Sequence, residues 1–133
     1  MRVAALMQTN LRTVLADSTV AEAVVTLADA HVSGVPVVDG HGRLVGVLSS
    51  SDVIQAEAEA SDRDSRIAVL EDTRAADLMN PRPITVAPDT LIREAARQML
   101  YADVKRLFVE DGGKLVGVIS QSDIVGAVAS GKI

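Results

Sequence analysis

Two short clusters in this 133-residue chain carry the residue types that ligand chemistry needs. Gly46, Ser49, Ser51 and Asp52 form the pattern Gly-x-x-Ser-x-Ser-Asp, and Gly117, Ser120, Ser122 and Asp123 repeat it. Serine hydroxyls donate to phosphate oxygens, and an aspartate carboxylate accepts from the hydroxyls of a ribose. A helix starting at Ser49 or Ser120 would add free backbone N–H groups and a positive dipole end, which suit an anion. A glycine three residues earlier would let a ligand approach the backbone. The combination suits a nucleoside phosphate. The same spacing has a second reading. Ser-x-x-Asp is a capping box, so Ser49 with Asp52 and Ser120 with Asp123 can serve simply to start helices, worth about 1 kcal/mol each.

Both clusters sit inside a longer repeat. GRLVGVLSSSDVI (Gly42 to Ile54) returns as GKLVGVISQSDIV (Gly113 to Val125), 71 residues later. Met7, Thr13, Val14, Asp17, Glu22 and Ala23 match Met79, Thr85, Val86, Asp89, Glu94 and Ala95 at an offset of 72. The one-residue slip lies where DGHGR becomes DGGK, so it falls in a turn. Two copies of about 60 residues predict a closed pseudo-symmetric pair, because an open solenoid needs three or more units.

Each copy reads as strand, helix, strand, strand, helix. Short strands cover Thr13 and Val14, or Ile84 to Val86. Val20, Ala23, Val24, Leu27 and Ala28 recur at helical spacing on one face, as do Ile92, Ala95, Ala96, Met99 and Leu100. Thr19 and Glu22 have capping-box spacing. The second copy has Leu91 in place of Thr19, so Thr90 or Asp89 is expected to cap. Val35 to Val38 and Leu44 to Leu48 flank Asp39-Gly40-His41-Gly42 as a hairpin, with Leu107 to Val109 and Leu115 to Ile119 as its counterpart. A last helix starts near Ser49 or Ser120. Gln55 to Thr73 is acidic and Ala-rich, and SDRDSR (Ser61 to Arg66) reads as an exposed connection. The expected organisation is a first repeat over 1–60, a linker over 61–73 and a second repeat over 74–133, together one compact α/β (α+β) module.

Composition removes other classes. The chain has no Cys, so it has no disulfide, thiolate metal site or Cys nucleophile. His31 and His41 are too few and too scattered for a metal site, and His41 falls in a turn. No apolar run approaches the roughly 20 residues needed to span a bilayer, and no signal peptide is evident, so a cytoplasmic protein without membrane partners is expected. The net charge of −5 opposes nucleic-acid binding. No Ser-His-Asp set, catalytic carboxylate pair or Walker loop is present, so no catalytic residue is assigned. A nucleotide site without nucleophile or base is expected to sense rather than to catalyse.

Nearly all residues from Val3 to Ala129 resemble a tandem pair of CBS (cystathionine-β-synthase) domains, a Bateman module. VPVVD (Val35 to Asp39), KRLFVED (Lys105 to Asp111) and the two long repeat segments carry the resemblance. It implies two β-α-β-β-α repeats packed about a pseudo-twofold axis with two clefts, and commonly a homodimer. In many members a cleft binds AMP, ADP, ATP or S-adenosylmethionine. The module then regulates a partner, as in IMP dehydrogenase, the AMP-activated kinase gamma subunit, chloride channels and magnesium transporters.

The family pattern also ranks the clefts. One would use Leu11, Arg12, Val32, Ser33, Val118, Ser120, Ser122 and Asp123. Lys105 and Arg106 align there with basic residues that contact phosphates in the kinase gamma subunit. The other would use Val47, Ser49, Ser51, Asp52, Ile84, Thr85 and Val104, and has only Ser33 and Gly34 in place of the basic pair. The Asp123 cleft is therefore the stronger expectation for a phosphorylated ligand. Arg12 departs from the family, which usually has a small or apolar side chain there; it would obstruct the base or reach a phosphate. Phe108 replaces the proline seen at Pro36, and core packing is its expected role. The implied function is an adenine-nucleotide-binding regulatory module acting on a separate, unidentified protein, with no catalytic cofactor. The alternatives are a ligand-free structural pair and an S-adenosylmethionine binder.

Overall fold

The computed structural model describes every residue from Met1 to Ile133. In chain order, after a 3-10 turn at Val3–Ala5, the elements are β1 (Val14–Leu15), α1 (Val20–Ala30), β2 (Gly34–Val38), β3 (Leu44–Ser49), α2 (Ser50–Glu59), α3 (Arg63–Glu71), α4 (Ala75–Leu78), β4 (Thr85–Val86), α5 (Ile92–Ala102), β5 (Arg106–Asp111), β6 (Lys114–Ser120) and α6 (Gln121–Ala129). Two three-stranded sheets run β1-β2-β3 and β4-β5-β6. In each, the first strand pairs parallel with the second and the second antiparallel with the third. The twice-written strand-helix-strand-strand-helix order is thus the order of the fold.

The compact units are not the two sequence copies taken whole. One unit is Arg12–Pro83; the other joins Met1–Leu11 to Ile84–Ile133. Each copy is completed by the arm that precedes the other copy. The first amide of α1, Val20, donates to the Thr73 carbonyl at 2.9 Å, and that of α5, Ile92, donates to the Met1 carbonyl at 3.0 Å. Ala75 N donates to Ser18 O and Val3 N to Thr90 O, both at 2.8 Å. Ala75 and Val3 are fully buried, one in each unit. Leu91 precedes α5 without a side-chain cap. Neither Thr90 nor Asp89 caps that helix; the Met1 carbonyl takes its first amide from outside the repeat, as the Thr73 carbonyl does for α1. Thr19 does cap α1, accepting from Glu22 N at 3.2 Å.

Helix periodicity was only partly a guide to the core. Val20, Ala23 and Leu27, and likewise Ile92, Ala95 and Met99, are buried. Ala28 and Leu100 on the same expected stripes are exposed, Leu100 by 76 %. Val24 and Ala96, on the same stripes, are partly buried. Leu27 and Met99 belong to the internal cores. The segment 61–73 is exposed over most of Ser61 to Arg66, as expected, and most of it is helical. Asp62 Oδ1 accepts from Ser65 N at 2.7 Å and starts α3 inside the Ser61–Arg66 stretch. His31 ends α1 in the left-handed region at φ 53°, matched by Asp103 at φ 55° after α5.

The hairpin turn contains a titratable contact. Asp39 Oδ1 accepts from Arg43 N at 3.0 Å and from His41 N at 2.8 Å. Those two bonds, Arg43 first, hold its carboxyl below the ordinary 3.8. A group whose folded pKa is depressed contributes stability above its unfolded value and loses it as pH falls through the folded one. Acidification below about pH 4 is therefore expected to loosen this turn. Hydrogen exchange of the His41 and Arg43 amides would show it; unchanged protection at low pH would contradict it.

Candidate nucleotide-binding site

Pleating gives each sheet one face packed on its helices and one face turned away from them. In the second unit Leu107, Val109 and Ile119 point into the core with Val3, Ala95 and Met99. Arg106 and Phe108 alternate with them, and the register sets Arg106 opposite Ser120 and Phe108 opposite Val118. Arg106, Phe108, Val118 and Ser120 thus share the face away from the helix-packed core. In the first unit Val35, Val37 and Leu48 form the core. Gly34 and Pro36 lie opposite Ser49 and Val47 on the other face.

Both Ser-x-x-Asp pairs are full capping boxes. Asp52 N donates to Ser49 Oγ at 3.1 Å and Ser49 N to Asp52 Oδ2 at 3.0 Å. Asp123 N donates to Ser120 Oγ at 3.1 Å and Ser120 N to Asp123 Oδ2 at 2.8 Å. The next amides are also engaged: Ser50 N donates to Ser33 O at 2.8 Å and Gln121 N to Lys105 O at 2.9 Å. The helix starts are therefore not the open anion cradles that the motif suggested. Amides already bonded to protein oxygens have little left for a phosphate, so side chains must supply its charge. The second unit has them. Lys105 is exposed and joined through its carbonyl to the first residue of α6. Arg106 is half-buried, and burial pushes its guanidinium pKa down, though far too little to discharge it near neutral pH. Its guanidinium carbon lies 5.3 Å from the centre of the Phe108 ring, a cation–π arrangement that orients it. Phe108 is buried, on the sheet face away from the helix-side core.

Gly46 and Gly117 have a role other than the expected one. A Cβ on Gly46 would overlap the Met79 sulfur and come within 2.7 Å of the Asn80 carbonyl. One on Gly117 would meet the Met7 sulfur at 2.7 Å and the Gln8 carbonyl at 3.1 Å. These glycines admit the arms, not a ligand. Val47 and Asn80 exchange backbone bonds at 2.9 and 2.8 Å, as do Gln8 and Val118 at 2.8 and 3.0 Å. The matched Met7 and Met79 seal this packing.

The remaining expected residues divide between the units. Leu11, Ile84, Thr85, Val104, Val118, Ser120, Ser122 and Asp123 lie with Lys105 and Arg106 in the second; Arg12, Val32, Ser33, Val47, Ser49, Ser51 and Asp52 lie in the first. Ser51, Ser122 and Arg12 are exposed. Val104 packs against the core, and Ile84 edges a groove of about 430 Å³ lined by Glu94, Arg97 and Tyr101. Val32 lines a groove of about 370 Å³ beside α1 and α2 with Val24, His31 and Ile54. Sequence reasoning missed Gln8. Its Nε2 donates to Asp123 Oδ1 at 3.0 Å. The only sequence signal was its alignment with Asn80, which does not show which side chain reaches the carboxylate.

The CBS domain family model matches residues 3–59 and 75–130. The chain belongs to the CBS-domain family and carries two copies of the domain. It is 30% identical over 139 aligned positions to the chloroplastic CBS domain-containing protein CBSX2 of Arabidopsis thaliana, covering 89% of this chain and 58% of that protein. The chain thus spans little more than half of that relative. A crystal structure of CBSX2 in complex with AMP superposes at a TM-score of 0.83 with 31% identity, covering 99% of this chain and 98% of that one. The cytosolic domain of the Mg2+ channel MgtE in complex with ATP gives a TM-score of 0.76 at 33% identity, over 95% of this chain and 48% of that one. No helix is long and apolar enough to cross a membrane.

Proposed function

We propose that this CBS pair is a regulatory module that binds an adenine nucleotide, with the ribose hydroxyls on Asp123 and the phosphates toward Lys105 and Arg106. The observation that carries the reading is the pairing of Arg106 with Ser120 across β5 and β6. It sets a desolvated, always-charged guanidinium beside the carboxylate-bearing start of α6. The AMP complex of CBSX2 and the ATP complex of the MgtE domain support it by similarity. Asp52 is the weaker site, because Ser33 and Gly34 stand where Lys105 and Arg106 do. AMP, ADP and ATP fit the charge pattern; S-adenosylmethionine, lacking phosphates, is the alternative ligand. Regulation of a separate protein follows only if the nucleotide has different affinity for two states of the module.

Thermal unfolding with each of these ligands tests the reading. Ligand at about 100 times its dissociation constant adds roughly 2.7 kcal/mol, several degrees for a chain this size. AMP, ADP or ATP should raise the midpoint more than S-adenosylmethionine. No shift with any of them would favour a ligand-free interaction role, in which the Ser-x-x-Asp pairs are caps alone. Homodimerisation belongs to the same proposal. Leu100 and Tyr101 on α5 and Val125 and Val128 on α6 are all more than half exposed. Light scattering should give twice the 13.9 kDa chain mass, and a monomer would overturn it.

A further inference from the structure

We propose that Gln8 is a specificity-determining residue of the Asp123 site, a displaceable occupant of the carboxylate oxygen that a ribose needs. The inference rests on the nucleotide reading above and adds to it a residue that neither motif contains. The Asp123 carboxylate has two oxygens with different duties. Oδ2 accepts from Ser120 N at 2.8 Å and holds the cap of α6. Oδ1 accepts from Gln8 Nε2 at 3.0 Å. A carboxylate is an acceptor only, so the glutamine must present its nitrogen to it. Ribose hydroxyls are donors to the same atom. Withdrawing Oδ2 would uncap the helix, and Oδ1 has about two acceptor positions, so a ribose that places both its hydroxyls on Oδ1 competes with Gln8 for one of them.

The geometry makes that competition a side-chain event. Gln8 is fixed through its backbone to Val118 by bonds of 2.8 and 3.0 Å, while its side chain is exposed and can swing away. The other unit supplies an internal contrast. Asn80 makes the same backbone pair with Val47, but its side chain is one methylene shorter. Its Oδ1 turns back to accept from Arg82 N at 3.2 Å. The bonds of Asp52 are those of its cap. The two aspartates therefore stand in different states before any ligand arrives: Asp52 open at one oxygen, Asp123 guarded. The guard raises the affinity a ligand must bring and rejects molecules without a sugar hydroxyl to replace the amide.

The test is AMP binding by isothermal calorimetry to the wild-type chain, Gln8→Ala, Gln8→Asn and Asp123→Ala. Gln8→Asn copies the Asn80 arrangement and keeps an amide, which separates loss of the guard from loss of bulk. Gln8 is exposed, so water competes for this bond and its net worth falls to that of an ordinary hydrogen bond, roughly a three- to tenfold change in dissociation constant. Both Gln8 variants should bind AMP three- to tenfold more tightly, and the gain should vanish when combined with Asp123→Ala. If AMP binding depends on Asp123 but either Gln8 variant binds equally or more weakly, the guard is overturned and the nucleotide site stands. If AMP does not bind, or binds unchanged to Asp123→Ala, the site and the guard fall together.

Discussion

Replacing Gly46 by alanine is expected to destabilise the protein by about 2–3 kcal/mol, and the same change at Gly117 by clearly less. The difference follows from what each new methyl would strike. At Gly46 it overlaps the Met79 sulfur and sits 2.7 Å from the Asn80 carbonyl oxygen. That carbonyl accepts from Val47 N at 2.9 Å, so it cannot retreat without breaking a backbone pair. At Gly117 the carbonyl of Gln8 is 3.1 Å away, and the closer obstacle is the end of a flexible methionine. Interiors packed like crystals transmit a clash of this kind into the neighbouring segment. Urea unfolding of the two single variants measures the order directly. Adding Met79→Ala to Gly46→Ala should return only part of the loss, because the carbonyl remains. Equal costs, or a larger cost at Gly117, would show that the arms do not seat as described.

Asp123→Ala is expected to weaken AMP binding by about a hundredfold or more, since two hydrogen bonds to a charged group are lost and each is worth about 1.5–3 kcal/mol. The same substitution removes half of a capping box, about 1 kcal/mol of stability. Ser120→Ala separates the effects. It deletes the hydroxyl that accepts from Asp123 N but leaves the carboxylate in place. It should cost a similar amount of stability and keep most of the affinity. If Ser120→Ala and Asp123→Ala weaken AMP equally, the start of α6 matters to the ligand through its order, not through the carboxylate. Asp52→Ala should leave binding at Asp123 intact.

Much of the fold could be read from the chain because its signals are local. The hairpins, α1, α5 and both serine caps follow from residue types a few positions apart, and each has a counterpart in the other copy. What was not legible depends on partners from about 30 to about 115 residues away. The capping of Ile92 by the Met1 carbonyl is a backbone bond, so no residue type announces it. It was sought in Thr90 or Asp89 for that reason. The glycines of the two motifs were read toward a ligand because a missing Cβ states only that something comes close. The structure identifies the visitors as Met7 and Met79. Gln8 was invisible for a related reason: a glutamine before a strand has no meaning until the arm is placed against β6. At the site, by contrast, the family resemblance named Lys105, Arg106, Ser120 and Asp123, and the register of β5 with β6 brings these four to one end of one sheet.

The most direct test of the account is an amide NMR titration of the intact chain with AMP. Saturable shifts are predicted at Gln8, Arg106, Ser120 and Asp123, with smaller ones at Asp52 and Ser49. Shifts absent from these residues at millimolar AMP, or confined to the outer surfaces of α5 and α6, would contradict a nucleotide site built on Asp123.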